Sequence, residues 1–526
     1  MYKVLITDPL SDQGIDKLLR AEDVEVVRKI GLTGEALLSE IATADALLVR
    51  SQTKVTEEVI NQGSRLKVIA RAGVGVDNID IPAATRKGVI VVNAPDGNTI
   101  STAEHTFAML ISLARNIPQA HRTVINGEWN RKAFVGVELN QKTLSIIGFG
   151  RIGSELAKRA KAFRMNVIAF DPYLTEERAQ KFGVQKASFN EAIAAGDFIT
   201  VHTPLTKETR HMINHEVFDK MKDGVRILNC ARGGIIDETA LYDAIVSGKV
   251  AGAALDVFEV EPPGNHPLFT LPQVICTPHL GASTIEAQEN VAVDVSEEVL
   301  HILRGEPFKN AVNLPSIPAE LQQKLAPYHE LVEKLGHFVG QMTTEAIKEI
   351  TITYAGELAE GDVVPLTRMM LKAVLSHHLA DINFVNAPHL AKQRGIHVLE
   401  QKSGHSHGFT QWLNIEVKTD KNQHQVSGTL LNGFGPRIIK IDQFPVDVAP
   451  KGHLLFIQHR DQPGAIGRVG TLLGSRDINI ATMQVGRKQA GGQAIMILRI
   501  DKAIPHDLMN TLKQMDEIQS VMEIDL

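Results

Sequence analysis

Three polar side chains in the middle of the sequence each stand just after a short apolar run: Arg232 in NCARGGIIDETAL, Glu261 in ALDVFEVEPP and His279 in VICTPHLGAST. Alone, His279 suits a core position, a metal ligand or a proton carrier. In the company of a carboxylate and a guanidinium it suits hydride transfer coupled to proton transfer at a secondary alcohol. An imidazole is the side chain best poised to exchange the alcohol proton near neutral pH. Glu261, if hydrogen-bonded to the other ring nitrogen, would fix the tautomer and favour the protonated ring. Arg232 can hold a substrate carboxylate and polarise the adjacent carbonyl, which orients the reacting carbon.

Such chemistry needs a hydride acceptor. SIIGFGRIGSELAKRAKAF carries Gly148, Gly150 and Gly153 as GxGxxG, directly after a buried-strand run and at the opening of a helix. Glycines there permit a tight turn and close backbone approach, and the helix N-terminus offers unpaired N–H groups to a pyrophosphate. About twenty residues on, NVIAFDP ends at Asp171, whose carboxylate can accept from a ribose hydroxyl and would repel a 2′-phosphate, favouring NAD over NADP. On the substrate side, LLVRSQTKVT and IARAGVGVDNID place Arg50 and Arg71 at the ends of strand-like runs, where cations suit a phosphate. Arg131 in GEWNRKAF is a third candidate cation.

These residues need a scaffold. Residues 1–99 alternate β-rich runs (KVLITD, ALLVRS, LKVIARAG, GVIVVNAP) with helical patterns, the rhythm of a parallel sheet covered by helices. After the helical STAEHTFAMLISLARN a second series begins: LSIIGFG, NVIAFDP, DFITVHTP, VRILNCARG and AGAALDVF. The expected fold class is α/β, with two Rossmann-like doubly wound domains in tandem. Residues 283–303 have helical periodicity and are expected to return the chain to the first unit, making 1–99 plus 283–313 one discontinuous domain around 100–282, with its end near AVNLPSIPAEL. Residues 314–450 read as α+β, helical first and strand-like later. Residues 451–526 follow the ferredoxin-like order βαββαβ.

The chain's 526 residues are too many for one core. With 55 basic and 61 acidic side chains the net charge is -6, which gives no sign of a nucleic-acid or anionic-membrane partner. Two cysteines, Cys230 and Cys276, exclude a disulfide framework and a thiolate metal cluster and suit a reducing compartment; a cytoplasmic location is expected. The N-terminus MYKVLITDPL has no signal-peptide pattern, and no apolar run reaches the length of a membrane span. His389, His397, His405 and His407 invite a metal reading, but they lack cysteines or a carboxylate at a recognised spacing, and no metal is expected.

The motifs GFGRIG, ARGGIIDE, ALDVFEVEPP and TPHLGAST resemble those of the D-isomer-specific 2-hydroxyacid dehydrogenase family, and the whole chain resembles its long form with two appended domains. The resemblance implies Arg232, Glu261 and His279 as the catalytic trio. It places NAD near Arg151, Ile152, Asp171, Thr203, Cys230, Ala231, Asp256 and Ala282, with Cys230 a lining residue and not a nucleophile. Arg50, Ser51, Arg71, Gly73 and Val74 resemble substrate-contacting positions in members that oxidise 3-phosphoglycerate, beside Arg232 and His279. The implied reaction is NAD-dependent oxidation of 3-phosphoglycerate to 3-phosphooxypyruvate, the first step toward L-serine. Another D-2-hydroxyacid dehydrogenase of glyoxylate or lactate type, or an NAD-sensing binding protein, are the competing expectations. Family members dimerise through the cofactor domains, so a homo-oligomer, dimer or tetramer, is expected, with Arg131 reaching a neighbouring subunit.

The terminal segment resembles an ACT domain, a sensor of small molecules. HRDQPGAIGRVGTLLGSRDINI sets a glycine-bearing turn at Pro463 and Gly464 before a helix whose free N–H groups suit a carboxylate. His459, Asp461 and Asn479 resemble contacts to a serine effector. Residues 314–450 resemble an intervening, allosteric substrate-binding domain, notably through GFGPRIIKIDQFPVDVAP, where Arg437 and Lys440 are candidates for an anion site.

Overall fold

The computed structural model describes residues 1–315 and 318–526. Ser316 and Ile317, inside the AVNLPSIPAEL stretch expected to close the first domain, lie outside the described residues. The first sheet is parallel throughout: β1 (Tyr2–Ile6), β2 (Val24–Arg28), β3 (Ala46–Val49), β4 (Val68–Arg71) and β5 (Ile90–Asn93) run in the order β2-β1-β3-β4-β5. Every residue of β3, ALLV, is buried, as a strand covered on both faces requires. The chain comes back to this sheet through the helix Ile285–Arg304, which packs Val291, Val295 and Val299 against Val4, Ile6, Val68 and Val92. Its start is fixed by Thr284, which accepts the Ala287 N–H at 3.1 Å, and its end by Gly305 in the left-handed conformation.

The second sheet is also wholly parallel. Its strands are β6 (Thr143–Ile147), β7 (Asn166–Phe170), β8 (Gln185–Lys186), β9 (Phe198–Val201), β10 (Val225–Asn229), β11 (Val250–Leu255) and β12 (Val274–Cys276), ordered β12-β11-β10-β9-β6-β7-β8. The order reverses between β6 and β9, and the crevice beyond the carboxyl ends of such a pair is where open α/β sheets take ligands. The helix Thr99–Arg115 links the two sheets and buries Leu110 and Leu113 against the second. Next to it, Ile117, Val124, Ile125, Trp129 and Val135 are all left exposed.

The third sheet departs from the helical-then-strand order expected of this region. β13 (Glu349–Gly356) lies between the helices His329–Met342 and Val364–Leu375, and β14 (His397–Ser403) pairs parallel with it. β15 (Gln411–Lys418), β16 (Gln423–Leu431), β17 (Gly435–Ile441) and β18 (Phe444–Val448) then add antiparallel. The last sheet, β19 (His453–Arg460), β20 (Ile480–Arg487), β21 (Gln493–Ile500) and β22 (Ile518–Asp525), has the order β20-β21-β19-β22 of the ferredoxin-like plan. One of its faces carries the helices Ala465–Gly474 and His506–Lys513; the other contributes Leu454, Phe456, Ile495, Ile497 and Ile524 to the core of the third unit. Among the described residues no helix is long and apolar enough to cross a membrane.

Candidate functional site

β10, β11 and β12 are neighbours, so the segments that leave their carboxyl ends emerge side by side. Arg232, Glu261 and His279 lie on those segments. His279 Nδ1 is 2.7 Å from Glu261 Oε2, and the Phe258 N–H donates to Oε1 at 3.1 Å. An ionised carboxylate only accepts, so Nδ1 carries the proton and Nε2 is left as the reactive nitrogen of the neutral ring. Burial raises the Glu261 carboxyl, yet the hydrogen bond and charge of His279 and the Phe258 N–H outweigh it and hold the group below the ordinary glutamate range. The Glu261 loop is pressed onto the turn that bears Arg232: a Cβ at Gly233 would lie 1.8 Å from the Phe258 carbonyl oxygen. On its outer side His211 meets Glu259 at 2.9 Å, and Glu238, itself paired with His266 at 2.9 Å, accepts the Glu259 N–H at 2.7 Å.

His279 has a φ of +56°, an uncommon conformation for a residue with a Cβ. Asp256, directly after β11, fixes it. Its carboxylate accepts from Thr277 Oγ1 at 2.6 Å, the Leu280 N–H at 2.7 Å and the Gly281 N–H at 2.9 Å, while its carbonyl accepts the His279 N–H at 2.9 Å. Burial raises the Asp256 carboxyl, but His105, Thr277 and the Leu280 N–H prevail and leave it lowered. Both of its oxygens are thus engaged in holding the His279 segment, a role that the resemblance to NAD-contacting positions did not anticipate. Cys230, which follows the Asn229–Leu255 pair, feels the Asp256 charge; burial and that charge push its thiol up to about 12, which disfavours the nucleophilic thiolate.

Opposite these groups are the cations. Arg71 ends β4 and Arg50 follows β3, adjacent strands of the first sheet. The guanidinium groups of Arg71 and Arg232 lie against the backbone of Gly73 and Gly75: added Cβ atoms would stand 2.3 Å from Arg71 Nη1 and 1.9 Å from Arg232 Nη2. Arg232 bridges the two sheets by donating to Asp77 at 3.1 Å. Burial, reinforced by the positive charge of Arg232, brings Arg71 down to about 10, and its Nε is buried without a partner. Burial also lowers Arg50, with Asp8 opposing. Ser51 is exposed beside it, and the Val74 carbonyl is held by the Asn93 side-chain amide at 2.5 Å. Arg131 sits apart in the exposed turn Arg131–Phe134.

The glycine loop divides its labour. Gly148 has a φ of +100°, and a Cβ there would meet the His202 carbonyl at 2.6 Å. Gly153 lets the helix Arg151–Ala162 close on the strand, since a Cβ would lie 2.4 Å from the Gly148 carbonyl. At Gly150 a Cβ would meet nothing within 4 Å, so its smallness serves no packing within the chain and leaves room for a ligand. Gly150 caps the helix with no side-chain bond, leaving the first N–H groups, including those of Arg151 and Ile152, for an anion. Thr203 Oγ1, next to Gly148, is buried and unpartnered, a second sign that the cradle is built for a polar group. Asp171 accepts the Phe149 and Tyr173 N–H groups at 2.8 Å each, which fixes its carboxylate at the end of β7. Ala231 and Ala282 are half-buried on the segments that flank the Asp256 carboxylate.

In the terminal unit His459 is buried with Nε2 unpartnered, and Asp461 accepts from Arg487 at 3.0 Å and the Gly491 N–H at 3.2 Å. Gly464, after Pro463, is left-handed and caps Ala465–Gly474 without a side-chain bond. Asn479 donates to Asp501 at 2.8 Å. In the third unit Arg437 is committed to Asp447 at 2.6 Å. Ligand atoms of His453, Glu523 and Asp525 lie within 4.8 Å of one another; none of the four histidines first considered for a metal is among them. Sequence reasoning missed His105, which contacts Asp256 at 3.1 Å, and Asp77, because neither sits in a motif with a chemical signature.

Residues 107–281 match the D-isomer specific 2-hydroxyacid dehydrogenase NAD binding domain, residues 324–442 the D-3-phosphoglycerate dehydrogenase intervening domain and residues 453–517 the ACT domain. The D-lactate dehydrogenase of Aquifex aeolicus, solved with NAD and lactic acid, is 31% identical with a TM-score of 0.53, covering 60% of this chain and 100% of that one. Fold and site together define a 2-hydroxyacid dehydrogenase whose cofactor is NAD. The D-3-phosphoglycerate dehydrogenase of Bacillus subtilis (strain 168) is 51% identical over 527 residues, and that of Methanocaldococcus jannaschii 48% over 528, each match spanning 100% of both chains. The chain belongs to the D-3-phosphoglycerate dehydrogenase family.

Two predictions follow from the geometry. Gly150→Ala weakens NAD binding at least about tenfold while stability stays within about 0.5 kcal/mol of the parent, whereas Gly153→Ala costs about 1–3 kcal/mol; NAD titration and urea unfolding on both variants check this. Asp256 is lowered in the folded protein. Its stabilising contribution is therefore full above the ordinary aspartate value of about 3.9 and is lost as pH falls through the lower native value. The stability gap between the parent and Asp256→Asn, measured by unfolding from neutral to acid pH, should close below about pH 4.

Proposed function

We propose that the protein oxidises 3-phosphoglycerate to 3-phosphooxypyruvate with NAD, the first step of the phosphorylated route to L-serine. The observation that carries this reading is Arg71, a buried guanidinium with an unpartnered Nε, grouped with Arg50 and Arg232 where an anionic substrate can compensate them. Relatives that match from end to end carry the name of this activity. Arg50 and Arg71, with Ser51 and the backbone of Gly73 and Val74, hold the phosphate end. Arg232 takes the carboxylate and orients the C2 hydroxyl. His279 Nε2 receives the hydroxyl proton, and the resulting imidazolium is stabilised by Glu261 on Nδ1. When bound, NAD would supply the hydride acceptor, with its pyrophosphate held at Gly148, Gly150, Arg151, Ile152 and Gly153 and its ribose at Asp171; Thr203, Cys230, Ala231 and Ala282 would line the nicotinamide side, with Asp256 behind them holding the His279 segment.

The same reading divides the chain into a catalytic pair, 1–99 with 283–313 and 100–282, and two appended units, 314–450 and 451–526. Serine is the effector assigned to the last, at His459, Asp461, Pro463, Gly464 and Asn479; the buried unpartnered Nε2 of His459 supports a polar ligand there. A homo-oligomer is assigned from the exposed apolar row Ile117, Val124, Ile125, Trp129 and Val135 beside Arg131, and a cytoplasmic location from the two unpaired cysteines.

The test is NADH formation by the purified protein. 3-Phosphoglycerate should be preferred over D-lactate and other unphosphorylated hydroxyacids by at least about a hundredfold in kcat/KM, and Arg71→Met should abolish most of that preference. His279→Gln should lower kcat about 10²–10⁴-fold with NAD affinity retained, and L-serine should slow the parent enzyme. Equal rates on phosphorylated and unphosphorylated acids would overturn the substrate; NAD binding with no turnover of any hydroxyacid would make the protein a sensor.

A further inference from the structure

The Asp256 side chain is fully sealed from solvent, and three successive backbone N–H groups, those of His279, Leu280 and Gly281, converge on this one residue. Another donor reaches its carboxylate from outside the sheet. His105, in the middle of the helix Thr99–Arg115, places Nε2 3.1 Å from Asp256 Oδ1 and 3.2 Å from Thr277 Oγ1. The carboxylate accepts only, so Nε2 carries a proton; Thr277 gives its own hydroxyl proton to Oδ1 at 2.6 Å and keeps lone pairs free for His105. The same helix grips the far side of the segment. Thr102 Oγ1 donates to the Gly281 carbonyl at 3.1 Å, and Ser101 Oγ lies 2.7 Å from Thr284 Oγ1. Positions 101, 102 and 105 share one helical face, so a single rigid surface holds residues 277–284.

We propose that His105 is a positioning residue for proton transfer: through Asp256 and Thr277 it locks the His279 segment in the left-handed turn that keeps the imidazole on Glu261. At metal sites, removing the outer partner that orients a ligating imidazole costs about 10–100-fold in affinity or activity, and a loss of the same order is expected here. Without His105 the Asp256 carboxylate keeps three donors but loses the one that comes from the helix. The turn at φ +56° is then held by Asp256 from the sheet side and, from the helix, only by the Thr102 and Ser101 contacts to residues 281 and 284. The inference rests on His279 as the proton acceptor and is indifferent to which hydroxyacid is oxidised.

The experiment compares the full-length parent with His105→Leu and His105→Gln, using the hydroxyacid the parent turns over fastest. His105→Leu should lower kcat about 10–100-fold with the Kd for NAD changed less than about threefold. Exchange of the Leu280 and Gly281 amides should accelerate at least about tenfold. His105→Gln, whose amide N–H stands in for Nε2–H, should return kcat to within about threefold of the parent. Unchanged kcat in His105→Leu, equal losses in both variants, or unaltered amide exchange overturns the proposal. Should His105→Leu fail to fold, His105→Ala, which removes the ring and leaves Thr277 on Asp256, replaces it under the same criteria. A parent enzyme inactive on 3-phosphoglycerate would remove the substrate assignment alone, because the exchange measurement needs no substrate.

Discussion

An aspartate carboxylate taken fully out of water costs several kcal/mol unless its lone pairs meet protons, and at Asp256 this demand shapes the catalytic side of the cleft. Thr277, Leu280, Gly281 and His105 meet it. Three of them belong to the segment that carries His279, so satisfying the buried charge and building the left-handed turn are one event. The donors that the carboxylate requires help hold the turn in a conformation uncommon for a residue with a Cβ. Glu261 then has a fixed imidazole to meet, and the 2.7 Å contact to Nδ1 follows.

Across the cleft the electrostatics run the other way. Burial and the charges of Arg232 and Arg50 depress the basicity of Arg71, and Asp77 and Asp8 offset only part of that. A doubly or triply charged anion placed among them relieves desolvation and repulsion together, which a neutral or singly charged ligand does less well. The two halves of the site thus differ in kind, with clustered cations at one end and an imidazole held by a carboxylate at the other. Gly73, Gly75 and Gly233 allow this closeness: each lies where a guanidinium or a neighbouring loop occupies the space of a side chain.

Much of this was legible before any coordinates. Arg232, Glu261 and His279 could be grouped because each follows an apolar run, and parallel strands deliver their exits to one edge. The GxGxxG loop was equally readable, its glycines acting through local geometry. What escaped were interactions that depend on tertiary approach. His105 occupies an ordinary helical position whose partner, the buried Asp256, lies 151 residues away. Asp77 meets Arg232 across the domain gap, and no spacing encodes that. In the third unit β13, EITITYAG, has a strand's β-branched content, but it is flanked by helices and was absorbed into them. β14 is an edge strand with mostly exposed, polar residues and offers no alternation to detect.

The appended units differ in how firmly they are joined. The third and fourth sheets share one apolar core through Leu454, Phe456, Ile495, Ile497 and Ile524, so moving one against the other would expose packed side chains at about 25 cal/mol per Å². The junction with the first sheet is smaller. Asn383 donates to the Gly88 carbonyl at 2.9 Å, and Val385 enters the core beside Val92. Gly88 leads into β5, whose last residue, Asn93, holds the Val74 carbonyl in the loop after Arg71. The two appended sheets are therefore mechanically one body resting on the substrate side of the cleft. The route of contacts from that body to the loop after Arg71 runs through Gly88 and β5.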